Sequence, residues 1–472
     1  MMKNSTTPST AADMQALLAK YDRPAPRYTS YPPAPYFIPY GSPAKYLELL
    51  ENSNKLGPKN ISLYFHLPFC PQRCLFCGCH TEIGNSGTMI RDYMRALRKE
   101  TANLLPLLDA HRPVTQIHLG GGTPNAVPYS ELRTLLDTVR NALPLDPDCE
   151  IAIECDPSLL TLDKVQALRD MGFTRISMGI QDFNRKVLDA VHRRVPKLSA
   201  AELVAHARAA GFRGLNLDLI YGLPHQTLES FQDTLRMTLE ADPDRVSVFA
   251  YAHVPWVKGH QGSLDSLPMP DPSERLSIAI LTRKFFTDAG YVPIGMDHFV
   301  KPDDELALAL AEGHLHRNFQ GYCSKRHTGQ VYAFGASAIS QMEWGYGQNL
   351  KDLAEYTKAV DRGELPLERV YYMTPEDILA REAINALMCY GRVDLEAVAA
   401  RAGTATEASA KYVRDCEARI LPILEEGWVH RDGHAYSLSK DGWLFVRQFA
   451  ATLDPRTSAD AAESPARFSK AI

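Results

Sequence analysis

Between residues 61 and 249 the chain alternates short runs rich in β-formers with segments whose apolar residues recur at helical spacing. The strand candidates are Ile61 to Leu67, Val114 to Leu119, Glu150 to Glu154, Arg175 to Gly179, Leu215 to Ile220 and Arg245 to Phe249. Helical patterns lie between them, at Met94 to Leu108, Glu131 to Ala142, Leu162 to Met171 and Ala200 to Ala210. Alternation of this length calls for a parallel sheet built from right-handed βαβ units. The expected class is α/β, with six units forming a partial or complete barrel and functional groups on the loops after the strands' C-terminal ends. A doubly wound open sheet is the competing architecture.

The first strand runs into an unusual loop. From Tyr64 the chain reads Tyr-Phe-His-Leu-Pro-Phe-Cys-Pro-Gln-Arg-Cys-Leu-Phe-Cys-Gly-Cys-His, ending at His80. Cys70, Cys74 and Cys77 are spaced so that one loop can wrap three thiolates around a single centre, and Cys79 follows two residues later. Structural zinc usually takes four ligands, commonly in two Cys-x-x-Cys pairs, and no second pair occurs in the chain. Thiolates also suit an iron–sulfur cluster, and three ligands on a four-iron cluster leave one iron open. A zinc loop and a set of unrelated thiols remain the alternatives on spacing alone.

Polar residues gather where the other strands end. His118-Leu-Gly-Gly-Gly-Thr-Pro124 follows the second strand, and it is neither a Walker nor a Rossmann glycine pattern. Three glycines let backbone approach a ligand and turn amides toward it. Glu154 and Asp156 end the third strand. Ser177 to Asp182 end the fourth, with Arg193 beyond, and Asn216 and Asp218 lie on the fifth. Upstream, residues 21 to 33 read Tyr-Asp-Arg-Pro-Ala-Pro-Arg-Tyr-Thr-Ser-Tyr-Pro-Pro, which is either a proline-rich linker or an arm across a substrate mouth with Arg27 free for a carboxylate.

The net charge of −5 gives no support to nucleic-acid binding. No apolar run approaches the roughly 18 residues of a membrane span, and the start lacks the apolar core of a signal peptide. Clustered rather than scattered cysteines suit a reducing compartment, so a cytoplasmic protein is expected. Residues 1 to about 12 read as a disordered lead and Met14 to Lys20 as a short helix. Beyond Met296 the pattern reads as mainly helical, including Asp303 to Glu312 and Glu376 to Met388. Near the end, Asp432-Gly433 between apolar runs signals a hairpin, so helices followed by a hairpin suggest a winged-helix-like module, acting as a lid or packing unit. The expected organisation is an arm at 1–40, a catalytic barrel with its extension at 41–360, a helical domain at 361–453 and a disordered tail at 454–472.

The Cys-x-x-x-Cys-x-x-Cys spacing, with Phe76 before the last cysteine, resembles the radical S-adenosylmethionine (SAM) superfamily. The tyrosine-rich arm, the Cys-Gly-Cys ending, Gly-Gly-Gly-Thr-Pro, Ser-Met-Gly-Ile-Gln-Asp-Phe, Asp-Leu-Ile-Tyr-Gly-Leu-Pro, Ile-Gly-Met-Asp-His-Phe and His-Arg-Asn-Phe-Gln-Gly-Tyr narrow it. Together, from about residue 20 to 450, the chain is similar to the oxygen-independent coproporphyrinogen III oxidase family. Relatives with a methyltransferase, ring-opening or haem-carrier role are the alternatives. The resemblance implies oxidative decarboxylation of two propionates of coproporphyrinogen III to vinyl groups, giving protoporphyrinogen IX in haem biosynthesis. It implies a [4Fe-4S] cluster, SAM (two molecules), an electron donor of flavodoxin or ferredoxin type, an electron acceptor and a monomeric enzyme.

Roles follow from the same resemblance. Cys70, Cys74 and Cys77 hold the cluster, with Tyr64 and Phe76 beside the first SAM. Gly121, Gly122 and Thr123 contact its methionine part, Glu154 another polar group, and Ile339 its adenine. Gln181, Arg193, Asp218 and Ala252 surround the second SAM. Cys79, Tyr64 and Arg27 are the expected catalytic residues, and Arg27, Arg193 and Arg317 the candidate carboxylate clamps. One departure is the loop after Tyr322, with an extra thiol, Cys323, and added positive charge.

Overall fold

The computed structural model of the chain describes residue 16 and residues 18–84, 86–401, 407–440, 442–460 and 468–470. The expected lead at 1–12 lies outside them, as does part of the Met14 to Lys20 pattern, of which residues 16 and 18–20 are helical.

Six parallel strands organise the molecule. They are β1 (Ile61–Leu67), β2 (Val114–Gly121), β3 (Leu145–Cys155), β4 (Arg175–Gln181), β5 (Gly214–Tyr221) and β6 (Arg245–Ala250), paired in that order. Each helix between them buries one apolar stripe on the sheet; Tyr129–Ala142, for example, covers it with Leu132, Leu135, Leu136 and Val139. Side-chain caps fix where several of these helices begin: Thr161, Ser199 and Thr227 each accept a backbone N–H of the first turn. β1 is buried on both faces and so reads as a nearly continuous apolar run, whereas β4 alternates buried and half-buried residues.

The sheet extends past the six at both ends. Gln330–Phe334 adds a seventh parallel strand beside β1, and Ile339–Met342, Gly345–Asn349, Leu367–Tyr372 and Ile38–Pro39 continue antiparallel. Beside β6 lie His298–Val300 and Val292–Ile294. The two outermost of these thirteen strands do not pair with each other, so the barrel is open.

The stretch after Met296 therefore differs from the helical reading: apart from the helices Glu305–Glu312 and Leu353–Asp361 it is mainly strand as far as Tyr372. These strands are three to six residues long, and several are buried on both faces, so they show neither helical nor alternating periodicity. Gly345 and Gly347 belong there because a Cβ would lie 2.5 Å from Tyr371 O and 2.7 Å from the Tyr46 ring, respectively.

The C-terminal region runs helix Pro375–Tyr390, strand Arg392–Asp394, helices Leu395–Arg401 and Glu407–Leu424, then hairpin Val429–Asp432 and Ala435–Leu438, with the three strands in one sheet. Its core also contains Tyr21, Tyr28 and Tyr31 of the arm. Tyr28 and Tyr31 donate to the two oxygens of Asp454 at 3.1 and 3.0 Å. The chain after Leu453, expected to be without structure, continues as helix Pro455–Asp460, and Ser469 O accepts from Ala25 N at 3.2 Å. Composition misses this contact because backbone groups make it.

Toward the strands' N-terminal ends lies a buried ion network. Arg245 reaches Asp304 at 2.7 Å and Glu305 at 2.8 Å, Arg175 reaches Glu150 at 2.6 Å, and His327 reaches Glu305 at 2.7 Å. Burial would raise the Glu305 carboxyl, but Arg245, the His327 hydrogen bond and Arg175 hold it well below the usual range. A carboxyl depressed in the folded state stabilises above its unfolded pKa of about 4.3 and loses that contribution as pH falls through its folded value. Arg245→Leu, which removes the nearest arginine from two buried carboxylates and leaves them Arg175 and, for Glu305, His327, is expected to lower unfolding stability by about 3 kcal/mol in urea titrations at neutral pH, with a shallower acid dependence. An unchanged denaturation midpoint would show that the network contributes nothing net.

Candidate active site

Pro68 stops β1, and the chain turns into a loop whose backbone is held on all sides. Glu82 N donates to Pro68 O at 2.8 Å and Gly84 N to Cys70 O at 3.2 Å, joining Phe69–Cys70 to Glu82–Ile83. Leu75 N donates to Val191 O at 3.0 Å. Lys258 Nζ donates to Cys79 O at 2.8 Å, Gln261 Nε2 to Phe76 O at 2.9 Å, and His260 Nε2 lies 2.9 Å from Cys77 O. These three residues sit at the start of a 3₁₀ turn, Gly259–Leu264, after β6. Their role was not legible in the sequence, because the pairing spans about 180 residues and the residue types are common.

The glycine run lies against this loop. Gly122 N and Thr123 N donate to Leu67 O and Phe69 O at 2.8 and 2.9 Å. A Cβ on Gly120 would stand 2.8 Å from Glu154 Oε1, on Gly121 2.5 Å from His66, and on Gly122 2.5 Å from Pro68 O. Gly121 also has a φ of +113°, which favours glycine. Glu154 accepts from Gly121 N at 3.1 Å and meets His118 Nε2 at 3.1 Å. Burial pushes its carboxyl up, but the hydrogen bond and charge of His118 and the Gly121 N–H outweigh that and hold it below the usual value.

Register across the sheet gathers the remaining polar groups. Glu154 lies beside Ser177, Ser177 beside Asn216, Gly179 beside Asp218, Asp218 beside Ser247, and Ser247 beside His298. Asp218 accepts from Ser177 at 2.7 Å and Asn216 at 2.8 Å, while burial raises its pKa. A bulge between Gly179 and Gln181 turns Gln181 to a φ of +71°, re-aiming its side chain. Arg193 donates to Gly179 O at 2.5 Å, pairs with Asp156 at 3.4 Å and approaches Cys74 Sγ at 3.7 Å.

Together these groups wall a cavity of about 520 Å³. Cys70, Cys74, Cys77, Cys79 and Phe76 line it, with Gly121, Gly122, Thr123 and Glu154, and with Gln181, Arg193, Asp218 and Ala252. On the arm side it is lined by Arg27, Asp297, His298, Arg317 and Phe319. Two expected residues are not part of the wall. Tyr64 stacks on His118, ring centroids 5.8 Å apart, and lies 3.2 Å from His66 Nδ1, and so stands behind the partner of Glu154. Ile339 opens the strand that pairs with Gly345–Asn349. The charged loop after Tyr322 is also turned away: Cys323 is buried, Arg326 pairs with Glu312 and His327 with Glu305.

The donor set suits a cluster. Thr123 donates to Cys70 Sγ at 3.3 Å, and Arg193 places positive charge on Cys74. Burial pushes the Cys70 thiol up to about 11, a cost that a bound cationic centre would remove. Cys79 shares a hydrogen bond with Cys77 that draws Cys77 down to about 6. Among the described residues no group of His, Cys, Asp or Glu is gathered around one point as a single ion needs.

The radical SAM superfamily matches residues 64–238. The chain is 39% identical over 452 residues to the oxygen-independent coproporphyrinogen III oxidase of Synechocystis sp., covering 95% of this chain and 96% of that one. It is 38% identical over 440 residues to the Escherichia coli K12 protein of the same name, covering 93% and 94%. The solved structure of coproporphyrinogen III oxidase from Escherichia coli, described as a radical SAM enzyme, superposes with a TM-score of 0.85 at 37% identity, covering 93% of this chain and 98% of that one.

Gln261 is fully buried and bridges Phe76 O and Val254 N. Gln261→Leu leaves both without a partner, a cost of about 1–3 kcal/mol. Amide hydrogen exchange in residues 74–79 should accelerate about tenfold or more. Unchanged exchange would mean that the loop is held from elsewhere.

Proposed function

The chain belongs to the oxygen-independent coproporphyrinogen III oxidase family of the radical SAM superfamily, and from that we propose that it decarboxylates two propionates of coproporphyrinogen III to vinyl groups, giving protoporphyrinogen IX. The observation that carries this reading is a three-cysteine loop opening on a cavity that the glycine turn, Glu154 and Arg193 wall on one side and arginines on the other.

A [4Fe-4S] cluster with SAM, when bound, supplies a 5′-deoxyadenosyl radical that takes a hydrogen atom from a propionate β-carbon. The substrate then loses carbon dioxide and one electron to an acceptor, and the vinyl group forms. The chain's own residues bind, orient and exclude water. Cys70, Cys74 and Cys77 hold the cluster, and Thr123 and Arg193 donate toward two of the sulfurs. Gly121, Gly122, Phe76 and Glu154 surround the first SAM, where an ionised Glu154 accepts from amino or hydroxyl groups. Tyr64 lies against His66 and His118, behind Glu154, on the side of the first SAM. Gln181, Arg193, Asp218 and Ala252 take the second SAM. Arg27, on the arm, and Arg317 meet the substrate's carboxylates.

The arm, held in the core of the C-terminal unit by its tyrosines, lines the mouth of the cavity with Arg27 and Thr29 and helps keep water from a carbon radical. We further assign a cytoplasmic, monomeric enzyme reduced by a flavodoxin- or ferredoxin-type donor; no helix among the described residues is long and apolar enough to cross a membrane.

Anaerobic product analysis on cluster-loaded protein tests the function. Loss of two carbon dioxide molecules per macrocycle is expected, and a methylated or ring-opened product would overturn the reading. Replacing Cys70, Cys74 or Cys77 by Ser should abolish the iron–sulfur chromophore, whereas Cys79→Ser should retain its iron, because a fourth thiolate would occupy the iron that SAM needs. Loss of iron from the Cys79 variant would make it a ligand. Arg27→Gln should raise KM at least tenfold without changing iron content or SAM cleavage in the absence of substrate. An unchanged KM would return Arg27 to a purely structural pairing with Asp297.

A further inference from the structure

Asp297 begins the Asp-His-Phe stretch that joins β6 from the antiparallel side. Its backbone is fixed by Val248 N, which donates to Asp297 O at 2.7 Å. Its side chain is 6% exposed and lies on the cavity wall between cations. Oδ2 accepts from Arg27 Nη2 at 3.1 Å, and Oδ1 meets His298 Nδ1 at 2.7 Å. Burial would raise the carboxyl, but the His298 bond and the charges of His298, Arg317 and Arg27 hold it well below the usual range. Arg317 packs its guanidinium 4.5 Å from the Tyr322 ring centroid, and its Nε and Nη1 have no partner among the described residues.

An ionised carboxylate offers about four acceptor sites, of which Arg27 and His298 fill two. The substrate class presents two kinds of polar group. A reduced tetrapyrrole carries carboxylates at its rim and four pyrrole N–H donors at its centre. Arginine serves the first kind only, having no acceptor. The second kind needs a fixed, charged acceptor on the same side of the cavity. The other carboxylate held below its usual range on this wall, Glu154, stands beside the cysteine loop and is engaged by Gly121 N and His118.

We propose that Asp297 is a specificity-determining residue whose free acceptor sites take pyrrole N–H donors of the reduced macrocycle, while the flanking Arg27 and Arg317 take propionate carboxylates. This rests on the tetrapyrrole reading above. It makes the site selective for the oxidation level of the ring: the oxidised porphyrin has the same four carboxylates but two N–H donors.

Anaerobic equilibrium dialysis of the cluster-loaded protein against coproporphyrinogen III and against coproporphyrin III tests it. The wild type should bind the reduced ring more tightly, and equal affinities would overturn the proposal. Asp297→Asn should weaken the reduced ring about tenfold or more, the scale of one charge-assisted hydrogen bond, and the oxidised ring much less. Arg317→Gln should weaken both rings by a similar factor. Equal weakening of both rings by Asp297→Asn would mark Asp297 as a structural counter-ion. If that variant does not fold, an N-methylated reduced ring on the wild type replaces it: binding about tenfold weaker is expected, and undiminished binding would overturn the proposal. Failure of product analysis would sink the tetrapyrrole reading itself, whereas equal affinities sink only the role of Asp297.

Discussion

A loop that carries four thiols and, beyond the two-residue strand Phe69–Cys70, no secondary structure of its own has a backbone-bonding problem, and the rest of the molecule is arranged around its solution. Buried N–H and C=O groups must find partners. Here they find them on neighbours to either side: Val191 after β4, the glycine turn after β2, and Lys258, His260 and Gln261 after β6. The loop is thus held by the exits of strands far apart in the sheet, and the sulfurs' positions depend on the curvature of the whole barrel. A flatter sheet would leave carbonyls of Phe76, Cys77 and Cys79 without donors, at about 1–3 kcal/mol for each one buried.

The two ends of the parallel sheet divide the work. At the N-terminal ends, buried arginines and carboxylates compensate one another through Arg245, Asp304, Glu305, Arg175 and Glu150. At the C-terminal ends the compensation is deliberately incomplete. Asp218 is raised by burial, Glu154 is ionised against burial, and Arg317 lacks partners for two nitrogens among the described residues. Incomplete satisfaction is tolerable where ligands arrive, and strain and perturbed ionisation collect at such sites.

How legible this was depends on the length over which each signal acts. All six strands of the barrel and four of the helices between them were read from periodicity, because the strands are rich in buried apolar residues and each of those helices carries a stripe; the helices Arg185–Ala190 and Leu228–Glu240 were not read. The thiol spacing and glycine run were equally local. The strands after Met296 escaped because they are short and dictated by pairing with β1 and with one another. Lys258, His260 and Gln261 escaped because a carbonyl partner leaves no mark in the sequence. Tyr64 and Ile339, placed by resemblance beside a ligand, stand outside the cavity wall, where a motif's position alone does not give side-chain direction.

The arm shows how the same charges serve folding and binding. Its tyrosines anchor in the C-terminal core, and Arg447 from that unit donates to Ala25 O and Pro26 O, so the arm is ordered without substrate. Ordering it brings Arg27 near Arg317 and Arg447. Burial pulls Arg447 down to about 9, and the charges of Arg27 and Arg317 add to it, so cations crowd one another here as a secondary cost. Asp297 offsets part of it through Arg27 and His298. On the proposed roles of Arg27 and Arg317, a tetracarboxylate entering this mouth would supply the rest, so that binding energy would come partly from relief of repulsion already built into the fold. A fully neutralised arm would fold more stably and bind the substrate less well. The excess of positive charge on this side of the cavity is therefore best understood as stability given up for recognition.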